Sequence, residues 1–341
     1  VAEYAFTFED EQTTVELSKA DLTDKKELPG ASLKVTDEDG NTVDEWVSKE
    51  EAHIIKGLIV GKKYKMTETK PADGYVTAES IEFTVENTKE VQKHQMLDDV
   101  TKVEISKKDI TDSSEVPGAK LIILDKDGKK VESWTSTDKP HMVEKLPVGE
   151  YTLREEQAPD GYLIAEDVKF TVKDTGKVQK VKMKDAHPYG KLVIKKTDST
   201  SKAALSGAEF ELREKESGKV VEKLVTDKTG TATSGKLPIA TYKNGKVEKT
   251  VEYILVETKA PNGYELSSKK EEIRFEYKDG KTKVIEIVKE IKNTKSPSGS
   301  TPTGNSPKTG DSTNIWLPIL LAVLSACGIG GVIWYKKKKG N

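Results

Sequence analysis

Apolar and polar residues alternate in short runs along most of this chain of 341 residues. The runs SLKVTDEDGNTV, LIILDKDGKKV and FELREKESGKVV carry this alternation on both sides of an Asp-Gly or Ser-Gly pair. A period of two is typical of half-buried strands, and such pairs favour hairpin turns. No long helical period competes with it. The pattern predicts an all-β protein of hairpins, with a strand about every 8 to 12 residues, as in β-sandwiches.

The same pattern returns three times and sets the predicted domain boundaries. Each copy has a lysine eleven positions before a Gly-Ala pair, and a glutamate six positions before the glycine of a Gly-Tyr pair. Units of this length are too long for solenoid repeats, so each is expected to be an independent Ig-like β-sandwich. The predicted domains span residues 12–100, 101–188 and 189–295. We interpret residues 1–11 as the last strand of a truncated upstream domain, because AFTFED resembles a closing strand.

The third repeat is the longest of the three. The closing residue lies 29 positions after the Gly-Tyr tyrosine, against 23 in the first two repeats. We therefore expect additional hairpin sequence in that domain.

A lysine, a glutamate and an aspartate or asparagine recur in each repeat where a strand should face the core. The lysines continue apolar rows such as Val15 and Leu17, and the glutamates continue rows such as Tyr64 and Met66. Side chains two positions apart share one face of a strand, so all three groups are predicted to point inward. In chain order the triples are Lys19, Glu68 and Asp98; Lys107, Glu155 and Asp185; and Lys196, Glu257 and Asn293.

Burial gives such a triple a possible chemistry. Desolvation lowers the pKa of a buried lysine and raises that of a buried glutamic acid, by about 3 to 5 units when burial is complete. A neutral amine is a nucleophile, and a neutral acid can polarise a side-chain carbonyl and transfer protons. The expected product is an amide between side chains, with loss of water at Asp98 and Asp185 and of ammonia at Asn293. The alternatives are a buried salt bridge, or a lysine that extends to the domain edge.

Composition excludes several classes of function. A net charge of -2 from 56 basic and 58 acidic residues provides no basic surplus for nucleic acid. The one cysteine, Cys327, lies in an apolar stretch, so no disulfide can brace the domains. The chain lacks the motifs of serine hydrolases, phosphate-binding loops and zinc proteases. We expect no enzyme turnover and no cofactor, since the amide would form once per molecule.

Two further signals are interpreted as structural. The four histidines have no second ligand at metal-binding spacing, so we expect no metal site. Trp46 with His53, and Trp134 with His141, recur at a step of seven and are interpreted as packing pairs. The segment 37–41 resembles part of a calcium loop, yet it lacks the downstream glutamate and fits a hairpin turn better.

The C-terminal region has the features of a membrane anchor. Residues 296–305 are rich in Ser, Thr, Pro and Gly and predict a flexible linker. Residues 315–335 are 21 in number and apolar enough to form a transmembrane helix, and the lysines of the tail 336–341 mark its cytoplasmic end. On these features alone, a permanent membrane anchor remains an alternative. The helix is preceded by the pentapeptide Ser306, Pro307, Lys308, Thr309 and Gly310.

The repeated residues resemble a known domain family, and the C-terminal residues resemble a known sorting signal. The lysine strands, the glutamate boxes ending in Gly-Tyr and the closing residues are similar to the collagen-adhesin B-type (CnaB), or SpaA-type prealbumin-like, domains of Gram-positive surface proteins. The first box reads Lys70-Pro71-Ala72-Asp73 instead of Ala-Pro, which would allow a different turn. The resemblance implies isopeptide bonds, each assisted by the glutamate of its repeat. The implied pairs are Lys19 with Asp98, Lys107 with Asp185, and Lys196 with Asn293.

The pentapeptide, apolar helix and basic tail resemble a cell-wall sorting signal of the LPxTG type, with Ser306 in place of the usual leucine. This resemblance implies that a sortase cleaves between Thr309 and Gly310 and joins Thr309 to peptidoglycan. The mature protein would then be attached to the wall of the bacterial cell surface, and only its precursor would cross the membrane.

Three functions are consistent with these features. The first is a wall-anchored surface stalk, stiffened by isopeptide bonds, that holds an N-terminal region away from the cell. The alternatives are a sortase-assembled pilin subunit, for which no YPKN-like acceptor motif is found, and an adhesin whose domains bind host extracellular matrix or glycans. An enzyme would require a catalytic domain upstream of Val1.

Overall fold

A computed structural model describes residues 11–297, and the regular structure in this range is entirely β. The predicted all-β class is confirmed for these residues. They contain no helix of sufficient length and apolar character to span a bilayer. The predicted strand before residue 11, the linker after residue 297, the pentapeptide 306–310, the transmembrane helix 315–335 and the basic tail lie outside the described residues.

The first two domains have seven strands each, in the same order along the chain. In the first domain the strands are β1 (Thr14–Asp21), β2 (Ser32–Thr36), β3 (Thr42–Val47), β4 (His53–Lys56), β5 (Lys63–Lys70), β6 (Ile81–Thr84) and β7 (Gln92–Asp98). In the second they are β8 (Lys102–Asp109), β9 (Lys120–Asp125), β10 (Lys130–Thr135), β11 (His141–Glu144), β12 (Gly149–Gln157), β13 (Val168–Val172) and β14 (Gln179–Asp185).

The third domain has ten strands. They are β15 (Tyr189–Asp198), β16 (Glu209–Glu214), β17 (Val220–Val225), β18 (Thr231–Thr233), β19 (Leu237–Pro238), β20 (Ala240–Lys243), β21 (Lys246–Thr250), β22 (Glu252–Lys259), β23 (Lys270–Arg274) and β24 (Val284–Asn293).

Each domain is a sandwich of two sheets. In the first, β4-β1-β7 forms one sheet and β3-β2-β5-β6 the other. The second domain repeats this arrangement with β11-β8-β14 and β10-β9-β12-β13. Alternate residues of both sheets meet in one apolar cluster per domain, which in the first includes Leu17, Val35, Met66 and Met96. Burial of one face of every core strand explains why the period of two was visible in the sequence.

The first and last strands of every domain are neighbours and run parallel. β1 pairs with β7, β8 with β14, and β15 with β24, whereas the other strand pairs are antiparallel. The chain therefore enters a domain at one end of this pair and leaves it at the opposite end. Residues near the C-terminal ends of both strands lie side by side.

The third domain contains an additional hairpin, as predicted, although the spacing difference on which the prediction rested lies elsewhere in the domain. The hairpin is β20–β21, which precedes the glutamate strand β22 and lies outside the stretch after Tyr264. The extra residues after Tyr264 instead lengthen the connection from β23 to β24 and the strand β24, which has ten residues. The residue spacing showed that the third domain has additional residues, but it could not show which structure they form.

Direct contacts join consecutive domains. The backbone N–H and hydroxyl of Thr77 donate to the two carboxylate oxygens of Asp174, at 2.9 and 2.7 Å. At the next joint, the hydroxyl of Tyr242 on the extra hairpin donates to the carbonyl of Gly161 at 2.8 Å. The ring of Tyr242 stacks on His187 with centroids 3.5 Å apart.

Candidate functional site

The three lysines of the repeated triple are buried in the domain cores. Lys19, Lys107 and Lys196 are 1, 2 and 1% exposed, and each follows the apolar row of the first strand of its domain. The predicted inward orientation is confirmed for them. An isolated buried ammonium would be strongly destabilising, so each lysine needs partners within the core.

The glutamates and the closing residues surround each lysine. The Nζ atoms of Lys19, Lys107 and Lys196 lie 3.0, 3.1 and 3.3 Å from a carboxylate oxygen of the glutamate of the same domain. Each Nζ also contacts Oδ1 of the closing residue. The structure thus brings together all nine predicted residues in three separate sites, one per domain. Their role as reactive groups stays a prediction. The sites comprise Lys19, Glu68 and Asp98; Lys107, Glu155 and Asp185; and Lys196, Glu257 and Asn293.

The parallel strand pair explains how residues so far apart in sequence meet. Lys19 on β1 pairs in register with Met96, and Asp98 lies two residues further along β7, on the same face. The same offset holds for Lys107, which pairs with Met183, and for Lys196. An offset of two preserves the face of the strand, so the amine and the acceptor both enter the core.

Each glutamate is held by the segment that follows its strand. The backbone N–H ten residues later donates to Oε2 of Glu68, Glu155 and Glu257, at 2.7, 2.6 and 2.9 Å. This bond fixes the carboxyl group between the lysine and the acceptor. In the first domain the other carboxylate oxygen, Glu68 Oε1, is the one that lies 3.0 Å from Lys19 Nζ.

Burial changes the protonation of the acceptors. Desolvation raises the pKa of Asp98 and of Asp185 to about 7, although the neighbouring lysine opposes the change. Desolvation also lowers the pKa of Lys196. The sequence predicted a neutral glutamic acid at each site, and in the structure burial raises the pKa of the acceptor aspartates of the first two sites. Near neutral pH the carboxyl groups of these two aspartates are therefore partly protonated.

Both carboxyl groups of the first two sites have a buried oxygen with no hydrogen-bond donor assigned to it. The buried Oδ2 atoms of Asp98 and Asp185 accept no hydrogen bond, and neither does Glu155 Oε1. Glu68 Oε1 is buried and has only its ion pair with Lys19. One proton on the carboxyl pair would provide the hydrogen bond that these oxygens lack. In the third domain the Nδ2 group of Asn293 takes its place and donates to both oxygens of the glutamate, at 3.0 and 3.1 Å.

The comparison with protein families agrees with this geometry. The model of the SpaA prealbumin-like fold domain matches residues 13–99, 101–187 and 190–291, which is most of the chain. The chain belongs to this family. Its described part therefore consists of three prealbumin-like domains in tandem. No curated protein matches the sequence significantly.

Solved structures that are similar to this chain include a Bacillus anthracis protein and two pilins. The Bacillus anthracis TIE protein is 27% identical with a TM-score of 0.55, over 84% of this chain and 52% of its own. The chain thus spans about half the length of that protein. BcpA, the major pilin subunit of Bacillus cereus, is 18% identical with a TM-score of 0.49, over 84% of this chain and 100% of its own. SpaD, a major pilin of Corynebacterium diphtheriae, is 18% identical with a TM-score of 0.38, over 86% and 99%.

The prealbumin-like domains also contain the two Trp–His pairs and the segment 37–41, which the sequence predicted to be structural. Trp46 and His53 stack with ring centroids 4.1 Å apart, and Trp134 and His141 at 4.4 Å, so their interpretation as packing pairs is confirmed. Asp37 closes the β2–β3 hairpin by accepting the N–H groups of residues 39 and 41. Within residues 11–297 no group of three or more His, Cys, Asp or Glu side chains could hold a metal ion.

The different box of the first domain does not change its turn. Tyr75 N–H donates to the carbonyl of Ala72 at 3.0 Å, as Tyr162 N–H does to Pro159 at 3.1 Å. Ala72 therefore takes the place of the proline without altering the hydrogen bond that closes the turn.

Sequence reasoning missed one further aspartate in each domain. Asp21, Asp109 and Asp198 follow the lysine of the triple by two positions and are buried. Each accepts a hydrogen bond from the tyrosine of the Gly-Tyr pair, at 2.7, 2.7 and 2.9 Å. The signal was present as the repeated spacing Lys-x-Asp, but an aspartate at the end of a strand is also typical of an ordinary turn.

Proposed function

We propose that each prealbumin-like domain forms an intramolecular isopeptide bond between its lysine and its closing residue. The observation that carries the proposal is the threefold recurrence of a buried lysine with Nζ against the side-chain carbonyl of the acceptor, beside a glutamate at 3.0 to 3.3 Å. A salt bridge alone would leave three desolvated ionic clusters that contribute little net stability.

The reaction is balanced within each site. The lone pair of Nζ attacks Cγ of the acceptor, and the glutamate transfers a proton from the amine to the leaving group. At Asp98 and Asp185 the bond from Cγ to one oxygen breaks and water departs. At Asn293 the bond from Cγ to Nδ2 breaks and ammonia departs. The hydrogen bonds from Nδ2 to the glutamate favour this outcome, because they direct the amide nitrogen toward the group that would protonate it.

The bonds suit the protein to a structural function. Closing a loop of 79 positions between Lys19 and Asp98 would restrict the unfolded chain by about 4.5 kcal/mol, if the relation for disulfide loops applies. Because the first and last strands carry the two ends of the bond, a pulling force would pass through the crosslink and bypass the residues between. The chemistry occurs once per domain, so the protein acts as a structural element without turnover.

We propose that the whole chain is a surface stalk of a Gram-positive bacterium, attached to the cell wall. The pentapeptide 306–310, the apolar run 315–335 and the basic tail support attachment to peptidoglycan by a sortase after cleavage between Thr309 and Gly310. Ladders of high-mass species in wall extracts would instead indicate a pilin subunit, and saturable binding of the three-domain fragment to matrix proteins or glycans would indicate an adhesin.

Intact mass spectrometry of a fragment covering residues 11–297 tests the crosslinks. The expected mass is lower than the sequence mass by two waters and one ammonia. Glu68→Gln should restore one water, since it removes the proton-transferring acid of the first domain and leaves the other two domains as internal controls. Glu82→Gln, on an exposed position of β6, should keep the full deficit. An unchanged sequence mass in the folded wild-type fragment would disprove the isopeptide bonds.

A further inference from the structure

The missed aspartates lie directly beside the acceptors. Asp21 pairs in register with Asp98 across the parallel strands, Asp109 with Asp185, and Asp198 with the third acceptor. The three aspartates are 8, 0 and 2% exposed. Buried carboxyl groups in the same position of three domains need a common explanation.

Each of these aspartates is tied to the element that carries the glutamate. The tyrosine that donates to it lies seven positions after the glutamate, at the end of the same turn. The hydrogen bond therefore connects the strand of the lysine with the segment that follows the strand of the glutamate. We call this hydrogen-bonded Asp–Tyr pair the clamp. Its members are Asp21 and Tyr75, Asp109 and Tyr162, and Asp198 and Tyr264.

Both halves of the clamp also hold the acceptor strand through the backbone. The residue after the clamp aspartate donates its N–H to the carbonyl of the acceptor itself, at 2.8, 3.1 and 2.9 Å in the three domains. The residue after the clamp tyrosine donates to the carbonyl of the residue that follows the acceptor, at 2.9, 2.9 and 3.0 Å. The elements that carry the amine, the acid and the acceptor are thus joined at one point in every domain.

In the first two sites the clamp aspartate has a lowered pKa and the acceptor aspartate a raised one. Burial opposes ionisation of Asp21, but hydrogen bonds from the Tyr75 hydroxyl and the Thr23 N–H, together with the Lys145 ammonium, overcome it and lower the pKa to about 2. Backbone hydrogen bonds from Ser201 and Thr200 lead the effects that lower the pKa of Asp198 to about 2. The acceptor Asp98 has its pKa raised by burial. Neighbouring carboxyl groups in such different environments take different roles.

We propose that the Asp–Tyr clamp is a positioning device for the crosslinking reaction, which holds the lysine, the glutamate and the acceptor in reactive register. The inference rests on the proposed isopeptide bonds. Within the described residues, neither member of the clamp forms a hydrogen bond with the lysine Nζ of its site. The clamp therefore acts through the elements that it joins. Small misplacements of reacting groups reduce rates strongly, by about a hundredfold for a shift near 1 Å.

Crosslinking during cell-free synthesis of the fragment 11–297 tests the clamp in the first domain. Aliquots quenched in acid and digested give the fraction of the Lys19–Asp98 peptide over time, and the other two crosslinks in the same molecules are internal references. Tyr75→Phe removes the hydroxyl and keeps the ring. We expect it to slow formation of the Lys19–Asp98 bond at least about tenfold without slowing the other two.

Two further variants distinguish positioning from simple destabilisation. Asp21→Asn keeps an acceptor for the tyrosine hydroxyl and should remain within about threefold of the wild-type rate, whereas Asp21→Ala should be as slow as Tyr75→Phe. Val35→Ala weakens the core of the same domain without contact to the clamp and should lower thermal stability while preserving the rate in folded protein.

The outcomes separate this inference from the proposed function. If the wild type never loses mass, the isopeptide proposal fails and the clamp has no reaction to position. If the wild type reacts and Tyr75→Phe, folded by circular dichroism, reacts at the same rate, only the clamp is disproved. If Val35→Ala slows the reaction as much as Tyr75→Phe at equal loss of stability, the clamp is a stabilising contact and the positioning role is disproved.

Discussion

Mechanical unfolding provides the most direct measure of where the crosslinks lie. We expect the wild-type fragment 11–297, pulled from its two ends, to resist extension between each lysine and its acceptor. In a variant with Glu68, Glu155 and Glu257 all changed to Gln, the bonds should not form and every domain should extend fully. The change affects only the acid, so the strands and the pulling geometry stay the same.

The structure sets the size of each unfolding step. The crosslinked residues are separated by 79, 78 and 97 positions in the three domains. An extended chain spans about 3.3 to 3.6 Å per residue, and the two ends start on adjacent strands. The variant should therefore show two steps of about 270 Å and one of about 330 Å. The longer step identifies the third domain, because its additional hairpin lies inside the closed loop.

Single-molecule force spectroscopy with a marker domain at each end measures these steps. The wild type should show the marker steps and no extension of about 270 Å or more from the fragment. Three long steps in the wild type would refute the argument that the bonds carry the load. A wild type without long steps, together with a variant that also lacks them, would refute the role of the glutamates.

Two further predictions concern pH and the joints between domains. The Lys19–Asp98 bond should form more slowly as the pH rises above 7, by about tenfold per pH unit relative to the Asn293 bond, because Asp98 must be protonated to lose water and its pKa is about 7. Peptide mapping after synthesis at pH 6 to 9 checks this, and equal pH profiles would contradict it. Gly245→Ala should loosen the joint between the second and third domains, because its Cβ would overlap the backbone carbonyl of Glu115, and small-angle scattering should show a larger radius of gyration. Gly218→Ala is the matched control, because Gly218 has a φ of +68° against +69° for Gly245 and its Cβ would have no neighbour within 4 Å. If both changes increased the radius of gyration equally, backbone strain and not the overlap with Glu115 would be the cause.

Local patterns in the sequence were sufficient to predict the strands and the burial of the triple. Strand parity placed Lys19 on the row of Val15 and Leu17, and all three are at most 1% exposed. The prediction succeeded because one face of each core strand is covered, so the period of two records burial directly. Three copies of the pattern also distinguished a common site from chance.

Features that depend on contacts between distant strands could not be predicted. The parallel pairing of β1 with β7 is not encoded in any local run, although it determines how Lys19 reaches Asp98. The hydrogen bond from Tyr75 to Asp21 joins residues 54 positions apart, so the aspartate resembled a turn residue. The raised pKa of Asp98 depends on how deeply its carboxyl group is buried, which sequence alone does not provide.

The parallel pairing of first and last strands also bears on how such proteins vary in length. A domain that the chain enters at one end and leaves at the other preserves the direction of the chain. Duplication or loss of a whole unit would therefore lengthen or shorten the molecule by one domain without reversing the direction of its neighbours. Each unit would carry its own crosslink, so reach could change through gene duplication while every unit kept its own covalent brace.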